Sequence, residues 1–83
     1  MAITVRYFAA LRERLGPQDS VPVAAGTTLG MLRDQLIASS PRHADALRRG
    51  RALRCALNQV LADEDAVLVD GAEVAFFPPV TGG

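Results

Sequence analysis

Few side chains in these 83 residues can do covalent or acid–base chemistry: there is one His, one Cys, one Tyr and no Lys or Trp. His43 follows Pro41 in what reads as a surface loop, with no Cys or His at metal-site spacing, so a structural or neutral role is expected for it. Cys55 alternates with Leu53 and Leu57, which marks it as a buried core thiol and not a reactive one. The run Asp63-Glu64-Asp65 offers carboxylates to a cation, but adjacent acids in a loop are normally solvated. Gly26-Thr27-Thr28-Leu29-Gly30 lacks the Lys of a phosphate-binding loop. No nucleophile–base pair and no metal site emerge from this inventory.

The C-terminus is different. Pro78-Pro79-Val80-Thr81-Gly82-Gly83 begins with two residues that cannot donate to a sheet ladder and ends with two that have no side chain. Six extended residues reach roughly 15–20 Å beyond a fold. A Gly-Gly end can enter a channel too narrow for a Cβ, with the Gly83 carboxylate open to attack. Such a carboxylate is inert until one of its oxygens is bonded to AMP as an acyl-adenylate. A sulfur nucleophile can then displace the AMP and leave a thiocarboxylate, with partner proteins supplying the catalysis.

The rest of the chain must hold that end. Ala2 to Phe8 alternates as a strand, with Ile3, Val5 and Tyr7 on one face and Thr4, Arg6 and Phe8 on the other. Ala9 to Leu15 has helical composition and is stopped by Gly16-Pro17. Ser20 to Ala24 forms a second strand, and Pro22 assigns it to an edge or a bulge. Thr27 or Thr28 caps the main helix, whose apolar stripe is Leu29, Leu32, Leu36 and Ile37. The helix ends at Pro41, and a short turn through Ala44 and Leu47 closes at Gly50. Leu53 to Leu57, Val60-Leu61 and Glu73 to Phe77 supply three more strands, joined by turns at Asn58-Gln59 and Asp70-Gly71. The order β-β-α-β-β-β, with a short helical turn after the first strand, gives an α+β domain with one main helix across a mixed sheet. First and last strands are expected to be central neighbours. Residues 1–77 form this domain and 78–83 an extended, flexible tail.

Composition narrows the class. At 49% hydrophobic residues the chain can bury a core, though a domain of this size is only marginally stable. Nine basic residues, all Arg, balance nine acidic ones, which argues against a nucleic-acid partner. Arg48, Arg49, Arg51 and Arg54 form a cluster that is either an anion-docking patch or, more commonly for such runs, a solvated loop. A single Cys, no signal-peptide pattern and no apolar run of membrane-spanning length point to a cytoplasmic protein without membrane contact.

The run from Gly71 through Phe76-Phe77-Pro78-Pro79-Val80-Thr81-Gly82-Gly83 resembles the C-terminal signature of the MoaD family, the small subunits of molybdopterin synthase. Val5 to Glu13 followed by Gly16, and Ala56-Leu57-Asn58-Gln59, resemble the same family's N-terminal and middle segments. Ala72 departs from the pattern, where Asp is usual, and reads as a lost surface charge. The resemblance implies a ubiquitin-like β-grasp fold and a sulfur carrier that is not itself an enzyme and binds no cofactor. An activating enzyme would adenylate Gly83 with ATP and magnesium. A sulfur donor such as a cysteine desulfurase or a rhodanese-like protein would then supply the thiocarboxylate sulfur. The tail, from Pro78 and Pro79 through Val80, Thr81 and Gly82, would insert into the large catalytic subunit, in a heterotetramer of two small and two large chains. There the sulfur would pass to cyclic pyranopterin monophosphate, two carriers supplying the two sulfurs of the molybdopterin dithiolene.

Strand alternation adds an interface. Phe8 and Phe77 point away from their strands' core positions, and Leu61 can join them, giving large apolar groups on a solvent face. The family is similar here, docking on its large subunit through apolar side chains at matching positions. Arg12 is assigned as a contact for the activating enzyme. Two other readings keep the fold: a sulfur carrier for thiamine or cysteine biosynthesis, and a ubiquitin-like protein modifier.

Overall fold

A computed structural model describes residues 1–79. Eight elements follow one another: β1 (Ala2–Tyr7), α1 (Ala10–Leu15), β2 (Gln18–Pro22), α2 (Leu29–Ser39), α3 (Pro41–Leu47), β3 (Arg54–Leu57), β4 (Val60–Ala62) and β5 (Glu73–Phe77). The five strands form one mixed sheet in the order β2-β1-β5-β3-β4. β1 and β5 run parallel at its centre, with Val5 opposite Val74 and Tyr7 opposite Phe76, while the other neighbours are antiparallel. This is the expected α+β, β-grasp plan. Helices cover one face only, where Ile3, Val5, Tyr7, Val74, Phe76 and Cys55 meet Leu11, Leu29, Leu32, Leu36 and Leu47 in one core.

Local chemistry explains the boundaries. β2 lies at an edge, as Pro22 requires, and Pro22 O accepts from Gln35 Nε2 at 2.7 Å. Thr28 caps α2, its hydroxyl accepting from Met31 N at 3.2 Å. The next two orphan amides of that helix, Leu29 N and Gly30 N, donate to Ala66 O and Glu64 O at 3.0 and 2.8 Å. A Cβ on Gly30 would meet Glu64 Oε1 at 3.0 Å and Glu64 O at 3.2 Å, so any side chain here would press the Glu64 loop back. The Asp70-Gly71 turn forms with Gly71 at φ +80°, and Asp70 Oδ1 accepts from Ala2 N at 3.0 Å.

Several expectations need correction. β2 starts at Gln18 and ends at Pro22, two residues earlier at each end than the alternation placed it, and β1 stops at Tyr7. The short turn after Pro41 is a full seven-residue helix, because Ser40 caps it by accepting from His43 N at 3.1 Å and Pro41 fits its first position. His43 therefore sits on a helix, not in a surface loop. Ala72 is not a surface position: it is 2% exposed and part of the core. An Asp there would be nearly buried, so the departure removes a desolvated carboxylate.

Glu64 of the acidic run and Arg49 of the arginine cluster are not simply solvated either. Arg33, 4% exposed, donates from Nε to Leu47 O at 2.7 Å and from Nη2 to Arg48 O and Arg51 O at 2.7 and 3.1 Å. Its Nη1 reaches Glu64 Oε2 at 2.9 Å. One buried guanidinium thus closes the carbonyl end of α3 and the loop that follows. Arg49 also pairs with Glu64, bonds Asp34 at 2.9 Å, and donates to Gly30 O at 2.9 Å. The bond from Arg49 holds the Glu64 carboxyl below its ordinary range, with Arg33 acting in the same sense against partial burial. A carboxyl depressed in the folded state stabilises above its unfolded pKa, about 4, and that stability is lost as pH falls through the lower folded value. The Glu64→Gln chain should therefore be less stable than wild type at pH 7, with the gap narrowing by pH 3. Denaturant unfolding at both pH values checks this, and an equal gap at each would contradict it.

Candidate functional site

β5 delivers the end of the chain from the middle of the sheet. Val74 and Phe76 are anchored in the core, and Phe77 is the last paired residue, opposite Arg54 of β3. Pro78 and Pro79 follow outside the ladder, as residues without an amide hydrogen must. The base of the tail is thus fixed by strands on both sides. Val80, Thr81, Gly82 and Gly83 lie outside the described residues.

The sheet face that carries no helix lies beside this exit. In the register of β1 and β5, Phe8 falls next to Phe77, and Phe8 N donates to Phe76 O at 3.3 Å. Across the same face Leu61 stands opposite Ala56, and Ala56 opposite Ala75. Phe8, Phe77 and Leu61 therefore share one face with an alanine floor between the strands, and Leu61 is 61% exposed. Phe77 is half-buried and Phe8 is 37% exposed. Arg6 lies on this face too, its guanidinium 5.4 Å from the Phe8 ring centroid and 3.2 Å from Glu73 Oε1. Arg12 is exposed on α1, just past Phe8. The face combines exposed apolar groups with an arginine border, a composition suited to protein docking.

Ala9, between Phe8 and α1, takes φ 55° and ψ −133°, a region that side chains disfavour. That sharp turn directs Phe8 outward and sends α1 back over the core, where Leu11 is buried. The alternation of the sequence carried no signal of it.

Elsewhere the reactive side chains are used structurally. Tyr7 Oη donates to Asp19 Oδ2 at 2.7 Å, and His43 Nε2 lies 2.9 Å from the same oxygen while its Nδ1 faces Ser40 Oγ at 2.6 Å. Burial raises the Asp19 carboxyl, but the bonds from His43 and Tyr7 win and hold it below its ordinary value. Burial, with Asp19 beside it, pushes the Tyr7 hydroxyl well up. This chain of bonds ties β1, β2 and α3 together, and the sequence reading missed it because Asp19 and His43 are 24 residues apart. Cys55 is in the core with its Sγ 3.2 Å from Ala62 O, and burial raises its thiol. Among the described residues no three His, Cys, Asp or Glu side chains gather as a metal site. No helix among them is long and apolar enough to cross a membrane.

The chain is 47% identical to the molybdopterin synthase sulfur carrier subunit of Escherichia coli (strain K12), over 98% of this chain and 99% of that protein. It is 43% identical to the protein of the same name from Mycobacterium tuberculosis (strain ATCC 25618 / H37Rv), over 98% and 96%. Among solved structures, SAMP1 from Haloferax volcanii superposes with a TM-score of 0.80 at 27% identity, covering 100% of both chains. A chain from the complex of subunits 1 and 2 of molybdopterin-converting factor from Helicobacter pylori 26695 superposes with a TM-score of 0.70 at 27% identity, also over 100% of both. The sequence pattern of the ThiS family matches residues 5–83, so the chain belongs to the ThiS/MoaD family of β-grasp proteins.

Proposed function

We propose that this protein is the sulfur-carrier subunit of a molybdopterin synthase and that the Gly83 carboxylate is its working group. The observation that carries this reading is the Gly-Gly end, set six residues beyond a strand at the centre of the sheet, in a chain whose relatives bear that name. The Gly83 carboxylate attacks the α-phosphate of ATP on an activating enzyme, forming an acyl-adenylate and releasing pyrophosphate. The outer sulfur of a donor protein's persulfide attacks the acyl carbon, the C–O bond to AMP breaks and AMP departs; a thiol reductant then cleaves the S–S bond, returning the donor cysteine and leaving the thiocarboxylate. In the large subunit the sulfur passes to cyclic pyranopterin monophosphate and water restores the carboxylate. The carrier contributes reach and fit; the catalytic residues belong to its partners.

The docking surface in this reading is the apolar face of Phe8, Leu61 and Phe77, with Arg12 toward the activating enzyme. The Helicobacter pylori complex supports a larger partner subunit, because the chain that resembles this one is seen bound to another. A large apolar side chain at the base of the tail fits the usual anatomy of a hot spot. Phe77→Asp should weaken association with the large subunit at least tenfold while shifting the melting temperature little. Titration calorimetry beside thermal unfolding checks this, and unchanged affinity would remove the face from the interface.

The likeness to SAMP1, a small archaeal modifier protein, favours one second reading: conjugation to other proteins. The Phe76-Phe77-Pro78-Pro79 run and the curated relatives favour the molybdopterin pathway over a thiamine or cysteine carrier. Intact-mass measurement after incubation with ATP, magnesium, the activating enzyme and a sulfur source separates carrier from modifier. A gain of about 16 Da, oxygen replaced by sulfur, is the expected result. Ladders of target-sized conjugates in cell extract, without that gain, would overturn the carrier assignment.

A further inference from the structure

All nine cationic side chains of this chain are arginine. We infer that this lysine-free surface keeps the activated C-terminus from acylating its own chain, an inference that rests on the carrier reading above. An activated Gly83 carbonyl reacts with any free amine: a C–N bond forms, the C–O bond to AMP breaks, AMP departs and the amine gives up a proton. At pH 8 a lysine of ordinary pKa is free amine to roughly 0.4%. On the same chain that small fraction acts at an effective concentration on the order of millimolar or above. Arginine keeps the charge, stays protonated and offers no lone pair for the attack.

The fold makes the distinction matter. Arg54 is the strand partner of Phe77, and Arg6 is the partner of Ala75. Arg12 N donates to Ala9 O, one residue past Phe8. All three arginines are exposed where the chain leaves the sheet. The six residues after Phe77 span at most roughly 20 Å, so each of these positions is within reach of the terminus. Lysines here would be intramolecular nucleophiles.

In the 83 residues the one primary amine is the α-amino group of Met1. The parallel pairing of β1 with β5 sets it at the opposite end of the sheet, where Gly71 N donates to Ala2 O. Phe77 lies six residues further on, roughly 20 Å at strand rise. The Met1 amine also donates to Val23 O at 3.0 Å. Topology and composition thus work together: the amine sits at the limit of the tail's reach, and the charges near the tail cannot attack.

The test uses the full chain prepared with a thioester at Gly83 and held at pH 8. Wild type is compared with Arg54→Lys and with Ala25→Lys, the latter exposed just after β2 at the Met1 end of the sheet, where Val23 N donates to Met1 O. Arg54→Lys should yield a lactam about 18 Da lighter than the free acid, at least tenfold faster than Ala25→Lys, while wild type mainly hydrolyses. Lactam from wild type at a similar rate, or none from Arg54→Lys, would overturn the inference. Pyrophosphate release from each chain with ATP and the activating enzyme reads the underlying activation separately. Its absence from wild type would remove the carrier reading, and this inference with it.

Discussion

Parallel pairing of β1 with β5 at the centre of the sheet is the constraint from which the rest of the architecture follows. Strands in register from Thr4–Glu73 to Tyr7–Phe76 must end together, so Phe8 and Phe77 finish side by side. Antiparallel β3 locks the other flank of β5. The base of the tail is therefore held by hydrogen bonds on both sides and by Val74 and Phe76 in the core. A central strand opens only with the whole domain, which makes its end a firm support for the segment that follows it. Parallel pairing also sets Met1 and the end of β5 at opposite ends of the sheet, and the inference about self-acylation draws on this.

The helical side is secured by a different device. A domain of this size has little apolar surface to spare, and part of its cohesion comes from charged groups spanning distant segments. Arg33 gathers carbonyls from the end of α3 and the following loop, and Glu64 joins Arg33 and Arg49 to the start of α2. Tyr7, Asp19 and His43 do the same between the sheet edge and α3. Side chains that resemble catalytic groups in isolation are spent on holding the scaffold. The helix-free face keeps Phe8 and Leu61 exposed.

Period-two alternation was enough to read β1 and β5 and to put Phe8 and Phe77 opposite the core, because both strands are amphipathic or buried along their length. The stripe Leu29, Leu32, Leu36 with its Thr28 cap gave α2 for the same reason. What the sequence could not show depends on contacts between distant residues. Pro41 reads equally as a stop and as a first helical position, so α3 was compressed into a turn. Glu64 looks solvated until Arg33 and Arg49 are brought to it, and Ala72 looks exposed until the Asp70-Gly71 turn is seen to direct it inward. The position of Arg54 beside Phe77 needed the β3–β5 register. Of the tail, Pro78 and Pro79 leave the sheet ladder as their missing amide hydrogens imply, and the remaining four residues lie outside the described ones.

The account stands on the position of the reactive atom at the last residue. A chain extended by one alanine after Gly83 would keep the domain intact and displace the carboxylate by a single residue. Sulfur delivered per carrier in a synthase reaction reconstituted with the large subunit, the activating enzyme, ATP and a sulfur source is the direct measurement. The account predicts near-complete loss of delivery at an unchanged melting temperature. Delivery equal to that of the unextended chain would contradict it.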